Sequence, residues 1–337
     1  MRLSFHPGRL GALLLGALLL VLALHYGLPG LAGPSLTPAL PQDPYVQVYF
    51  NQSPAAAYTD PYRRIQRHGD DLEATIVAAI ATANTSIDVA VQEINLPQVA
   101  IALRDQAQAG LAVRVIVEDQ YNRPWQPLAE IQSAQLDEYQ QSKQAERQQL
   151  IDANRNGKIT VQELEKRDAI RILTKAQVPL IDDTADGSKG SGLMHHKFMV
   201  VDGKTVLLGS NNWTLSGTHG DFAHKDSRGN ANALLKIESA ELAAVLTEEF
   251  DLMWGDGPKG KEDSLFGLQK PMRSPRTVSI PGSQVTVQFS PVSESKPWSQ
   301  SVNGLISTTL AQATSSSDLA LFVFSDQGIS DRLAPKS

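Results

Sequence analysis

The stretch Met194-His195-His196-Lys197-Phe198-Met199-Val200-Val201-Asp202-Gly203-Lys204, continued by Thr205-Val206-Leu207-Leu208-Gly209-Ser210-Asn211-Asn212, decides how the rest of the chain is read. Two apolar runs flank an Asp-Gly pair, which is a strong short-range signal for a β-hairpin. Side chains alternate along a strand, so His195, Lys197 and Met199 share one face and His196 and Phe198 the other. A nucleophile or base and a cation therefore lie side by side, while His196 reads as structural. From His195 the spacing is H-x-K, four residues, Asp202, then G-S-x-N ending at Asn212.

Working outward, Val46, Val48 and Phe50 alternate with polar residues and predict a strand. Residues 70–84 carry Leu72, Ile76, Val77 and Ile80 at helical spacing. Residues 86–94 read as a strand, 97–108 as a helix opened by Pro97 and closed before Gly110, and 112–117 as another strand. Strand, helix, strand, helix, strand at these spacings predicts an α/β layered domain with a largely parallel central sheet. Glu93, Glu118 and Asp119 fall at strand ends, where sites in such folds commonly lie. They are second-rank candidates, with solvated loop carboxylates as the default.

The H-x-K-x4-D-x6-G-S-x-N pattern resembles the HKD motif of the phospholipase D superfamily, and every signature position of one motif is present. The resemblance implies a phospholipase D-like layered sandwich and phosphodiester hydrolysis through a phosphohistidine intermediate. It implies a catalytic set of His195, Lys197, Asn212, Asp202 and Ser210. His195 is the nucleophile or the acid, and its place in a first motif favours the nucleophile. Lys197 and Asn212 neutralise the non-bridging oxygens, while Asp202, Gly209 and Ser210 hold the hairpin. In this family each site combines two motifs, from an internal repeat or a dimer, and no metal is needed for the chemistry. A second H-x-K-x4-D is absent from these 337 residues. The adjacent letters His224-Lys225-Asp226 lack the spacing and read as a solvated loop.

Residues 128–151 read as a long, Gln-rich, exposed helix. It runs into Asp152-Ala153-Asn154-Arg155-Asn156-Gly157-Lys158-Ile159-Thr160-Val161-Gln162-Glu163, a full match to D-x-[DN]-x-[DN]-G-x5-E. Asp152, Asn154 and Asn156 supply oxygens at positions one, three and five, and Gly157 allows the turn. The Lys158 carbonyl supplies position seven, and Glu163 closes the sphere. With a second helix expected over 161–176, this resembles an EF-hand for structural or regulatory calcium. Only two ligands are carboxylates and the hand is unpaired, so affinity is expected in the weak range, on the order of 10⁻⁴ to 10⁻³ M.

Arg2 and Arg9 precede an apolar run from Leu10 to Leu24, the pattern of a signal peptide or N-terminal anchor over 1–32. The expected location is therefore exported: periplasmic, secreted or membrane-anchored. Residues 33–44 read as a Pro-rich linker, 45–254 as the first repeat with the hand inserted at about 129–176, and 255–283 as a second linker. Residues 284–337 read as the start of an incomplete second repeat of an internal duplication. In it Val285, Val287 and Phe289 echo β-type residues 46–50, and 318–323 echoes 87–91. A second motif would then come from a missing C-terminal half or from a homodimer.

The net charge of −6 argues against non-specific coating of nucleic acid, and the absence of cysteine means that an exported fold relies on its core. With 6% aromatic residues and no basic run, phospholipid is favoured over nucleic acid as the phosphodiester. A nuclease of the same superfamily and a catalytically inactive, calcium-dependent binding module are the alternatives.

Overall fold

The computed structural model describes residues 37–127, 137–190, 192–222, 224 and 226–334. The expected leader at 1–32, part of the first linker, the first turns of the Gln-rich segment and Lys225 lie outside the described residues. No helix among the described residues is long and apolar enough to cross a membrane.

In chain order the elements are β1 (Val46–Phe50), β2 (Ala57–Thr59), β3 (Gln66–His68), α1 (Leu72–Ala81), β4 (Ser86–Val91), α2 (Pro97–Gln108) and β5 (Ala112–Val117). Then come α3 (Glu138–Ile151), α4 (Val161–Arg167), α5 (Ala169–Lys175), β6 (Leu180–Asp182), β7 (Lys197–Val201) and β8 (Thr205–Gly209). The chain continues through α6 (Leu215–Thr218), β9 (Ala233–Glu238), α7 (Ala240–Trp254), β10 (Arg276–Ile280), β11 (Ser283–Val287), α8 (Val302–Ala311) and α9 (Gln327–Leu333). The predicted opening of α2 by Pro97 holds, while α1, expected from residue 70, begins at Leu72. Asp71 caps α1 by accepting from Ala74 N, Pro97 opens α2, and Ser239 caps α7.

A seven-stranded sheet in the order β1-β9-β8-β7-β4-β5-β6 forms the centre. β4, β5 and β6 pair in parallel through α2 and α5, while β7, β8, β9 and β1 pair antiparallel. Five of the seven strands (β1, β8, β4, β5, β6) thus run the same way, as a largely parallel sheet requires. The antiparallel half follows from the hairpin, because a loop as short as Asp202–Lys204 can only join antiparallel neighbours. Asp202 and Gly203 both adopt positive φ, 51° and 62°, as a type I′ turn demands.

The two faces of the sheet carry separate cores. Leu72, Ile76, Ile80, Val99 and Leu103 pack with Val89, Val115, Met199 and Leu207 on one side. Leu242, Val245, Leu246 and Phe250 of α7 pack with Ala90, Ile116, Phe198, Val200 and Val206 on the other. Met199 and Phe198 fall in different cores, as the alternation predicted.

Three expected boundaries change. The helix expected over 161–176 is broken at Asp168, which ends α4 and caps α5 by accepting from Arg171 N. Ala169, Ile170, Ile172 and Leu173 of α5 are buried in the first core, so α5 is a crossover helix of the sheet and does not extend the helix expected after the Asp152–Glu163 loop. Residues 255–283, expected as a linker, contribute buried Phe266, Val278 and Ile280 to the second core. In the expected second repeat, β11 pairs with β10 in a hairpin apart from the large sheet. Residues 318–323 form no strand there, and Leu319, Leu321, Phe322 and Val323 are exposed.

Asp202 sits at the turn between β7 and β8, and its carboxylate accepts from Asn84 N, Thr85 N, Thr85 Oγ1 and Ser86 N at 2.8–3.1 Å. Burial opposes its charge, but these donors hold its carboxyl well below the usual carboxylate range. Asp202→Ala should cost about 1 to 2 kcal/mol in urea denaturation at pH 7, because a carboxylate that accepts from three successive N–H groups and a hydroxyl is lost, while the exposed donors can turn to water. A depressed native pKa adds stability above the unfolded value of about 4 and loses it as pH falls, so the gap to wild type should close in acid.

Candidate active site

Lys197, Asn212 and Gln92 collect at the edge where the five co-directed strands end, the usual site position in such sheets. β4 ends at Val91, opposite Lys197 at the start of β7. β8 runs the other way from β7 and delivers Gly209 to Asn212 to the same edge. Two residues of the H-x-K-x4-D-x6-G-S-x-N pattern then meet on a third residue. Lys197 Nζ donates to Gln92 Oε1 at 3.1 Å, and Asn212 Nδ2 donates to the same oxygen at 3.2 Å. Lys197 Nζ also donates to the His195 carbonyl at 3.0 Å. Two donors aimed at one oxygen are a ready cradle for a non-bridging phosphate oxygen.

His195 is exposed and lines a cavity of about 270 Å³, together with Met194, His196, Lys189, Lys270 and Phe266. Burial, followed by the charges of Lys197 and His196, pulls its pKa below the ordinary imidazole value, so the ring is neutral at pH 7. Burial pulls the Lys197 ammonium down to about 8, against the opposing attraction of Glu93. A cation that has lost its hydration gains most from an anion placed beside it.

His196 turns away, as expected. Its Nε2 donates to Glu249 Oε1 at 2.8 Å, and its ring meets Phe198 and Phe289 edge-on. Glu249 is fully buried and also pairs with Lys270 and Arg273. Burial would raise its carboxyl, but His196 and Lys270 outweigh that and hold it at about 2. Asn211, between Ser210 and Asn212, is fully buried.

Two members of the expected catalytic set stand apart from the cradle. Asp202 lies at the opposite end of β7, a strand length or roughly 16 Å away, where it clamps the β7–β8 turn to the start of β4. Ser210 Oγ donates to Asn232 Oδ1 at 2.9 Å and accepts from Ala233 N at 3.1 Å, fixing the start of β9. Both act on the frame; the cradle itself is Lys197, Asn212 and Gln92, and His195 joins it through its carbonyl, which accepts from Lys197.

Glu93, Glu118 and Asp119 are not solvated loop carboxylates. Glu93 is buried, accepts from Asn95 Nδ2 at 3.3 Å and pairs with Lys143 of α3 at 3.5 Å. Glu118, Asp119 and Asp183 converge within 4.8 Å, but Lys189 Nζ sits among them and pairs with all three. Asp183 also accepts from Met194 N at 2.8 Å, which fixes the residue before His195. Gln92 and Lys143 were missed from sequence. For Gln92 the available signal was its place at the end of the central strand; Lys143 had none.

In the Asp152–Glu163 loop, Asp152 accepts from Asn156 N and Gly157 N, and Glu163 from Ala153 N, Thr160 N and Thr160 Oγ1. Asn154 and Asn156 turn their Oδ1 atoms onto the loop's own N–H groups, and Gly157 takes φ 77°. Asp152 and Glu163 are 7% and 8% exposed, and neither pairs with a cation among the described residues.

A family model described as "Cardiolipin synthase, PLD-like domain" matches residues 76–254. The mitochondrial cardiolipin hydrolase of Xenopus tropicalis is 36% identical over 66 residues, covering 20% of this chain and 27% of that protein. The Canis lupus familiaris protein of the same name is 24% identical over 187 residues, covering 56% of this chain and 52% of its own length. The chain thus spans between a quarter and about half of the curated relatives it matches. Among solved structures, the phospholipase D family member Nuc from Salmonella typhimurium is 18% identical and covers 63% of this chain and 95% of its own, with a TM-score of 0.36.

If Lys197 is the anion-binding cation, sulfate affinity should weaken roughly tenfold per pH unit above about 8, where Lys197 loses its proton. Lys197→Arg should bind without that alkaline loss, as isothermal titration would register.

Proposed function

The chain belongs to the PLD-like domain family of the cardiolipin synthase type, and on that premise we propose that it hydrolyses a phosphodiester through a phosphohistidine on His195. The observation that carries this reading is the cradle: Lys197 and Asn212 converge on one oxygen, and Lys197 also donates to the carbonyl of the exposed His195.

A neutral imidazole avoids the repulsion that an anionic nucleophile meets at a phosphodiester. His195 attacks phosphorus, the P–N bond forms and the P–O bond to the leaving group breaks. Lys197 and Asn212 donate to the non-bridging oxygens as their charge grows. A second histidine protonates the leaving oxygen, then accepts a proton from the water that cleaves the P–N bond. That second histidine comes with a second motif, from a homodimer or from a C-terminal half.

The substrate class in this reading is phospholipid. The cardiolipin names of the matching family and relatives, the acidic charge and the absence of a basic aromatic groove support it, with nucleic acid the competing phosphodiester. Export by the segment at 1–32 completes the reading and would set the enzyme near a membrane.

The Asp152–Glu163 loop is read as a calcium site. Two carboxylates buried without a counter-cation are costly, and a cation is what would neutralise them. Asp152, Asn154, Asn156, the Lys158 carbonyl and Glu163 would hold it, in a structural or regulatory role.

His195→Ala should lower turnover of a chromogenic phosphodiester by at least about 10³-fold, with wild-type turnover persisting in EDTA. Acid-labile, base-stable label on His195 after a quench with ³²P-labelled substrate is expected. Turnover surviving in His195→Ala would sink the mechanism. Comparing phosphatidyl and oligonucleotide substrates decides the class.

A further inference from the structure

We propose that calcium in the Asp152–Glu163 loop sets the position of α3 and thereby the alignment of Gln92 and Asn212, so that the ion regulates turnover without touching substrate. This rests on the phosphodiesterase and calcium-site readings above.

α3 has little apolar anchorage. Its buried residues are Leu150 and Ile151, both in the last turn beside the loop. The rest of the helix is held by polar contacts, and two residues direct theirs at the active site. Lys143 Nζ donates to Glu93 Oε2 at 3.5 Å and to Ser216 Oγ at 3.2 Å. Glu146 Oε1 accepts from Ser216 N at 2.8 Å. Three residues apart, Lys143 and Glu146 share one face of the helix.

Their partners flank the cradle. Glu93 directly follows Gln92, whose side-chain oxygen takes both Lys197 and Asn212. Ser216 lies in α6, one turn of chain beyond Asn212, and Leu215 N is tied to Asn95 Oδ1 at 3.0 Å. Trp213 N donates to the Glu93 carbonyl at 3.0 Å, so the two flanks are also joined to each other. A shift of α3 therefore pulls on the supports of the acceptor Gln92 and the donor Asn212 at once.

At its other end α3 is continuous with the loop. Asp152 is its C-terminal cap, about 9 Å along the axis from Glu146. The helices on either side of the loop are braced by Arg167 NH1 donating to the Leu150 carbonyl at 3.1 Å, and Arg147 reaches Asp168 at 3.0 Å. Without the ion, the two negative charges of Asp152 and Glu163 are held by the loop's own N–H groups and the Thr160 hydroxyl, in a loop whose other residues are mostly exposed. Calcium that draws Asp152 and Glu163 together fixes the end of α3, and with it Lys143 and Glu146.

The test uses the whole 337-residue chain, stripped with EDTA and titrated with CaCl₂. Turnover of a chromogenic phosphodiester and backbone hydrogen exchange are followed together. The expected result is a rise in kcat/KM of about fivefold or more, with a midpoint of order 10⁻⁴ to 10⁻³ M. Exchange should slow in residues 152–163 and also in 93–96 and 213–217. Asp152→Asn and Glu163→Gln should lose the response. Glu146→Gln should still bind terbium in the loop yet lose most of the rise. Calcium that protects the loop but leaves 93–96, 213–217 and kcat/KM unmoved would overturn the coupling and leave both underlying readings intact. No protection of the loop itself would overturn it by removing the ion. If turnover proves independent of His195, the phosphodiesterase reading fails, and the exchange pattern alone still decides the coupling.

Discussion

The antiparallel pairing of β7 with β4 is the constraint on which the site depends. It places Lys197 opposite Val91, so that the next residue of the central strand, Gln92, meets the ammonium. A one-residue slip would send every side chain of β7 to the other face. That slip is opposed at the far end, where Asp202 gathers the N–H groups of Asn84, Thr85 and Ser86. The motif's aspartate is thus bound to its histidine and lysine by a shared strand and not by contact. Its work is to hold the register that makes their contact with Gln92 possible.

Burial acts in opposite senses on the two sides of β7. On the side of the cradle it strips water from Lys197, leaving a cation that gains most from an anion, and pulls the pKa of the more exposed His195 below the ordinary imidazole value. On the other face Glu249 is stripped of water as well, but His196, Lys270 and Arg273 surround it and keep it ionised. Adjacent histidines therefore have different roles because alternation gives them different surroundings.

What was legible in the sequence is what depends on local spacing. The Asp202-Gly203 turn, the separation of His195 from His196 and the Pro97 helix start all follow from neighbours along the chain. What was not legible depends on distant partners. Gln92 reaches Lys197 across 105 positions, and Lys143 reaches Glu93 from a helix with no apolar pattern to place it. Residues 318–323 have strand propensity but no neighbouring strand, and propensity without a partner leaves Leu321 and Phe322 in solvent. The Gly- and Pro-rich composition of 255–283 suggested a linker, yet three apolar residues within it are enough to seat it on the second core.

The position of Glu249 bears on where this protein can be cut. The family match ends at Trp254, which invites a trimmed version ending there. Such a version would keep Glu249 and discard Lys270 and Arg273, leaving a buried carboxylate with His196 as its remaining ionic partner. It would also bare the surface that Phe266, Val278 and Ile280 now cover. The smallest autonomous unit is therefore longer than the stretch the family model matches, and it runs at least through the β10–β11 hairpin.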